Sequence, residues 1–349
     1  MTPTRRHLLT AAPALLLPSR VSAAPRAPLT FAAYAGLFQE LFEPAVVAPF
    51  AKAHPESGVF YYGVPSSTQI LATLRRQRTE PKMDVALLDL AEAKAATDEG
   101  LVEPLTAKSL PILADLAPSA LFPGIAGPAL FSEPLVMLHD TARAEAPPTW
   151  RALWTKQNDH TIAIPAPPDS IGIGFTLIAA HLFGGGGELH AWRDGLNAIA
   201  DLAPRVQTWQ PRPDVYHVVT NGDARFGVGW NMPAQVFADR FEGRLGVSFP
   251  ADGTISRVTT VNLVKGAPQA DAARAFITHL LGIEAQRTMV EQMHLGPFNA
   301  KTKYPRAALE RTANTPARAA AAMQVDWAFV ESGREQIIRH WRETIPATL

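Results

Sequence analysis

Cysteine is absent from all 349 residues. That excludes thiol nucleophiles, Cys-ligated zinc, iron–sulfur clusters and disulfides, and a chain of this size can rely on core burial instead. Surplus charge is absent too: 32 Lys and Arg balance 32 Asp and Glu, giving a formal net charge of zero and a pI near 7.2. With no basic patch and no acidic tail, nothing marks a nucleic-acid partner, and the scattered Lys and Arg read as solvated helix faces. Enzyme motifs are equally missing: there is no G-x-S-x-G elbow, no H-E-x-x-H pair and no P-loop. "ELHAW" lacks a second histidine, and the ten histidines are scattered without helical metal-ligand spacing. No metal and no cofactor are expected. A carboxylate-pair hydrolase stays open on sequence alone, because acidic residues are plentiful.

The N-terminal apolar stretch from Leu8 to Leu17 is too short to span a bilayer, which takes about 20 residues. It follows Arg5 and Arg6 in "TRRHLL", and "VSA" puts small residues before an expected cut between Ala23 and Ala24. Residues 1–23 therefore read as an export signal of the twin-arginine kind, with the general secretory route as the alternative.

What is present is an ordinary globular balance, 47% hydrophobic and 18% charged, long enough for two lobes. Strand-like and helix-like runs alternate. "LTFAAYAG" (29–36), "GVFYYGV" (58–64) and "MDVALLD" (83–89) read as strands. Between the first two, a helix carries Leu41, Phe42, Val46 and Phe50 inward, with Pro49 expected to bend or interrupt it. Ser66 and Gln69, then Asp89 and Glu92, have capping-box spacing, and Gly100 suits a helix C-terminus. The composition shifts after "PALFSEPLVMLHD" (128–140), and a second set begins at "TIAI" (161–164). It includes an amphipathic helix over 188–203 with Leu189, Trp192, Leu196 and Ile199 on one face, then "RVQTW" and "ARFGVGW". The clearest helix is 270–281, where Ala273, Phe276, Ile277, Leu280 and Leu281 recur at i, i+3, i+4, i+7 and i+8. Such alternation predicts an α/β fold with parallel strands and helices on both faces. No internal repeat is visible, and the glycines at 184–187 read as a flexible turn.

"PPDSIGIGF" (167–175) opens like a dinucleotide fingerprint, but Leu177 stands where the third glycine belongs and no acidic ribose partner follows. What survives is a strand running into a helix N-terminus whose free N–H groups suit an anion. Ser170 can add a hydroxyl, and Gly172 and Gly174 can let a ligand approach the backbone or can simply make the turn.

"VVAPFAKAHP" (46–55), "MDVALLD", "EGLVEPL" (99–105), "TWRALW" (149–154), "NLVKGAPQADAARAFITHLLGIEAQ" (262–286), "GPFNAKT" (296–302) and "VDWAFVESGREQIIRHW" (325–341) follow one another along nearly the whole mature chain. In that order they resemble the solute-binding proteins of ABC importers, in the cluster of polyamine, ferric-ion and phosphonate binders. The resemblance implies an α/β, two-lobed type II periplasmic-binding-protein architecture with two crossing hinge segments, placed near 128–140 and 247–260. Residues 24–130 and 258–349, the latter including C-terminal helices, would build lobe one, and 131–257 lobe two. It also implies a periplasmic monomer that closes on a small solute without covalent chemistry and docks an ABC permease with its ATPase.

Strand ends then supply the candidate ligand-binding residues. They are Tyr34; Ser66, Ser67 and Thr68; Asp89; Ser170 and Gly172; Trp230 and Asn231; and Arg257 and Thr259. Each has a plainer reading: a loop tyrosine, helix caps, a turn glycine, a core tryptophan, an exposed hinge arginine. Polyamine binders have a Trp-Asn pair matching Trp230-Asn231, but a carboxylate where this chain offers Arg257 and Thr259. Arginine grips carboxylate or phosphate, so an anionic or zwitterionic solute such as an organic acid or phosphonate is expected. A polyamine held by Asp89 and Asp169 is the alternative, and a secreted hydrolase or a receptor feeding a sensor are further ones. Ferric binding is disfavoured, because Tyr61 and Tyr62 adjoin in a strand and point to opposite faces.

Overall fold

The computed structural model describes residues 27–184 and 192–345; the export signal, the glycines at 185–187 and Leu189 lie outside them. In chain order the strands are β1 (Leu29–Tyr34), β2 (Val59–Val64), β3 (Val85–Asp89), β4 (Val102–Glu103), β5 (Ala129–Asp140), β6 (Ile162–Ala163), β7 (Val206–Thr208), β8 (Phe226–Trp230), β9 (Leu245–Ser248), β10 (Ser256–Val264) and β11 (Gly296–Pro297). The helices are α1 (Leu37–Phe42), α2 (Ala48–Ala53), α3 (Ser67–Arg76), α4 (Leu90–Asp98), α5 (Ser170–Phe183), α6 (Trp192–Leu202), α7 (Val215–Thr220), α8 (Asn231–Arg240), α9 (Ala270–Leu281), α10 (Ile283–Met293), α11 (Arg306–Leu309), α12 (Pro316–Ala320), α13 (Trp327–Ser332) and α14 (Arg334–Thr344). No helix among the described residues is long and apolar enough to cross a membrane.

The strands run β2-β1-β3-β10-β5-β8-β6-β7, with β4 beside β10 and both β9 and β11 beside β5. Within each lobe the expected parallel pairing is found: β1 with β2 and β3, and β6 with β7 and β8. The hinge strands depart from it. β10 runs antiparallel to β3 and β5, and β5 antiparallel to β8 and β9. β5 changes sheets midway: up to Pro134 it pairs with β10, and from Leu135 onward with β8 and β9. The chain returns from lobe two between β9 and β10, so two hinge strands join the lobes, and it crosses once more where the C-terminal helices leave lobe one.

Strand alternation sorts the cores. Phe31, Val85 and Leu87 point into one lobe-one cluster with Phe42, Phe50 and Phe276, whereas Ala32, Ala86 and Leu88 face the other with Ile70 and Leu74. In lobe two, Leu135 and Met137 face one cluster and Val136 and Leu138 the other. Burying each large side chain fully contributes about 1.5–3 kcal/mol. The α9 stripe is buried as its spacing predicts.

The interruption expected at Pro49 takes the form of a π turn at Glu43–Val47, directly before Pro49 in the first turn of α2. One expectation needs correction. The C-terminal helices do not build lobe one. Val330, Ile337, Trp341 and Ile345 pack into the Leu135–Met137 cluster of lobe two, and the Trp341 indole N–H donates to Thr176 Oγ1 at 3.2 Å. Ile337, Trp341 and Ile345 recur every four residues, so one apolar face drives that docking.

Candidate functional site

Tyr34, Asp89 and Trp230 are the last residues of β1, β3 and β8, and all three border the space between the lobes. The main cleft there encloses about 420 Å³ and is lined by Ser66, Ser67 and Thr68 at the start of α3, Asp89 and Glu92 at α4, Asp169 and Ser170 at α5, and Met232 and Pro233 at α8. Four helix N-termini, with their positive dipole ends, therefore border one cavity, and Ser66, Asp169 and Glu133 each accept one first-turn N–H at α3, α5 and α8. A chamber of about 80 Å³ adjoins it, bordered by Trp230, Trp327, Val330 and Glu331. Both spaces share Asp89, Glu92, Ser170, Arg257 and Arg334. Another cavity, of about 480 Å³, lies at the far ends of α3 and α4 and contains none of the predicted residues.

The cleft floor is an ion pair. Arg257 on β10 sits opposite Glu133 on β5, and its Nε and Nη2 donate to Glu133 Oε2 at 2.9 and 2.5 Å. Glu133 is 1% exposed, and its other oxygen accepts the Met232 N–H at 2.8 Å, in the first turn of α8. The Arg257 guanidinium lies 4.6 Å over the Trp230 ring, whose indole N–H donates to Ser170 Oγ at 3.1 Å. Burial opposes the arginine's charge, but Glu133, Asp89 and Tyr34 outweigh it and hold Arg257 protonated beyond its usual range.

The lobe-one wall is acidic. Asp89 Oδ1 accepts from the Tyr34 hydroxyl at 2.6 Å and the Thr259 hydroxyl at 2.8 Å, while the Asp89 N–H donates to Ser67 Oγ at 2.9 Å. Burial, then the Asp89 charge, raise Tyr34 well above the usual phenol range, so it stays a donor. Glu92 Oε1 accepts from the Thr68 hydroxyl at 2.8 Å. Burial and the charges of Asp89 and Glu331 nevertheless push Glu92 up to about 7.

Tyr34, Ser66, Ser67, Thr68, Asp89, Ser170 and Arg257 thus border the main cleft, and Trp230 the smaller chamber. Ser66 caps α3 as its spacing predicts, accepting the Gln69 N–H at 3.3 Å. Asp89 holds the cap position of α4 but makes no capping bond, and its carboxylate faces Tyr34 and Thr259 instead. Three predicted residues stand off the lining. Thr259 is fully buried behind Asp89. Asn231 follows the cap residue Trp230, and its amide donates to the carbonyls of His294 and Arg311 at 2.9 and 2.8 Å, tying α8 to the first lobe. At Gly172 a Cβ would lie 2.5 Å from the Pro165 carbonyl oxygen and 2.6 Å from the Pro167 nitrogen, so the glycine lets α5 pack on its own preceding loop.

Sequence reasoning missed Glu133, Arg334, Glu331 and the cleft-facing role of Glu92. Glu133 carried a signal: a single charge inside the apolar run of β5 must find a partner. Arg334 and Glu331 carried none, because only the docking of the C-terminal helices on lobe two brings them here.

The fold and the cleft between its lobes are those of a solute-binding protein. The model of the bacterial extracellular solute-binding protein family matches residues 45–319, and the chain belongs to that family. No curated protein sequence matches it significantly. Among solved structures it is similar to an ABC transporter protein from Clostridium perfringens (21% identity, TM-score 0.74, covering 91% of this chain and 99% of that one). It is also similar to the protein MotA from A. tumefaciens in complex with glucopine (18% identity, TM-score 0.73, 91% and 99%). A third is the spermidine/putrescine ABC transporter substrate-binding protein of Streptococcus pneumoniae (14% identity, TM-score 0.73, 91% and 99%).

Proposed function

We propose that the protein is the periplasmic receptor of an ABC importer, capturing a small zwitterionic solute by hinge closure and passing it to a permease. Residues 1–23 direct export, by the twin-arginine route in this reading, and the mature protein acts as a monomer without covalent chemistry. Lobe one comprises 24–130 and the stretch from 258 to about 322; lobe two comprises 131–257 with the C-terminal helices.

The observation that carries the solute class is the Arg257–Glu133 pair. It neutralises the Arg257 charge, so a purely anionic solute would face three carboxylates, Asp89, Glu92 and Asp169, with Arg334 as the other lining arginine. A solute bearing both an ammonium and an acidic group suits both walls. Its ammonium would meet Asp89 and Glu92, and its acid the N–H groups and hydroxyls at α3 and α5, with Trp230 against its body. The same carboxylates keep the polyamine reading alive, and the relatives' named ligands, glucopine and spermidine/putrescine, span too wide a range to choose.

A thermal-shift series holding the carbon skeleton constant decides. 4-Aminobutyrate should raise the melting temperature, and butyrate and putrescine should do so far less. A solute at 100 times its dissociation constant adds about 2.7 kcal/mol, a shift of several degrees. A response to putrescine alone would select the polyamine reading. Turnover of any of the three would refute the receptor role.

A further inference from the structure

Two arginines border the cleft, and they differ in how their charge is matched. Arg257 places two N–H groups on one buried carboxylate oxygen. Arg334, the first residue of α14, donates through Nη2 to the Pro168 carbonyl at 2.6 Å, a neutral acceptor that leaves its charge intact. Its Nη1 also donates to Glu331 Oε2, a long contact of 3.4 Å. Glu331 and Arg334 are 39% and 31% exposed, so this pair is loose and solvated and can be exchanged for a better partner at little cost. Arg334 also lines both the main cleft and the chamber.

We propose that Arg334, delivered by the C-terminal helices, is the residue that recognises the acidic group of the solute and selects zwitterions over diamines. The inference rests on the zwitterion reading above and adds the residue that enforces it. Its bond to Pro168 aims the guanidinium at the first turn of α5, where the Ser170 hydroxyl faces the same cavity. An acid bound there gains a charge-assisted bidentate partner, which Arg257 can no longer supply. Asp89 and Glu92 come from lobe one, at α4, against which α13 packs, so the two ends of a short solute are recognised by different lobes and reward closure. Position is fixed from behind. Val330, Ile337 and Trp341 anchor the helices in the lobe-two core, and the Trp327 indole N–H donates to the Ser256 carbonyl of the hinge strand at 3.1 Å.

The test is titration calorimetry of the mature protein and its Arg334→Gln and Arg334→Lys variants with 4-aminobutyrate and with putrescine. Arg334→Gln should weaken 4-aminobutyrate about 10- to 100-fold, the range for a hydrogen bond to a charged group. Arg334→Lys should recover part of that loss, and putrescine affinity should stay equal or rise in both variants. Because Arg334 is a third exposed, the apo variants should melt with the wild type. Wild-type binding of 4-aminobutyrate that survives Arg334→Gln within threefold would overturn this inference alone. So would equal losses for both probes, which would mean a merely structural role. A wild type that ignores 4-aminobutyrate overturns the zwitterion reading and this inference with it.

Discussion

On the lobe-one wall of the cleft, each acidic side chain is held by hydroxyl donors: Tyr34 and Thr259 on Asp89, Thr68 on Glu92. On the lobe-two side the buried Glu133 is bound on both oxygens, by Arg257 and the α8 backbone, and Asp169 accepts the Ile171 N–H. The hydroxyl-held carboxylates for a cation thus come from lobe one, and the exchangeable guanidinium of Arg334 from the C-terminal helices on lobe two. That asymmetry gives the solute a differential affinity for the closed state, which any ligand-driven closure requires.

The comparison breaks most severely at Glu133. Glu133→Ala would leave Arg257 without its carboxylate and the Met232 N–H without an acceptor, and should cost about 3–5 kcal/mol. Denaturant unfolding of the apo protein measures it; a loss under about 1 kcal/mol would mean that the pair is solvated and that Arg257 is free for an anion after all. Next comes the lobe-one wall. The folded value of Glu92, about 7, lies above the 4.5 of an unfolded chain, so the native state holds that proton more tightly. Its contribution to stability is complete below about pH 4.5 and is lost as pH rises through about 7, at most on the order of 3 kcal/mol. Glu92→Gln should remove that slope. Binding 4-aminobutyrate near pH 7 should ionise Glu92 and release a proton, visible as a calorimetric heat that varies with the buffer's ionisation enthalpy.

Much of this arrangement was legible in the chain. The α9 stripe gave element and face together, because its periodicity is fixed by helix geometry, whereas β1 and β3 gave the element alone, being buried on both faces. Strand ends led to Tyr34, Asp89 and Trp230 because parallel sheets place their sites there. Facing was harder. Asn231 sits one residue from Trp230 yet points at the other lobe, since the turn into α8 rotates successive side chains apart. Partners were hardest: Arg257 meets Glu133 only through strand pairing across 124 positions, and Arg334 reaches Pro168 across 166. No local pattern encodes such separations.

Gly172 sharpens the contrast with the smallest change. The sequence allowed two roles for it, access of a ligand to the backbone or the making of a turn. The geometry favours packing, because the missing Cβ would fall on the Pro165 carbonyl and the Pro167 ring rather than in the cleft. Backbone and a proline ring yield little, so Gly172→Ala should push α5 away from its loop and cost about 1–3 kcal/mol. That loss should appear in the apo protein, with no solute present, as a lower melting temperature. If the glycine served only the approach of a ligand, apo stability would be unchanged and 4-aminobutyrate affinity alone would fall. The order of the two measurements therefore separates a residue that builds the lobe-two wall from one that touches what the wall binds.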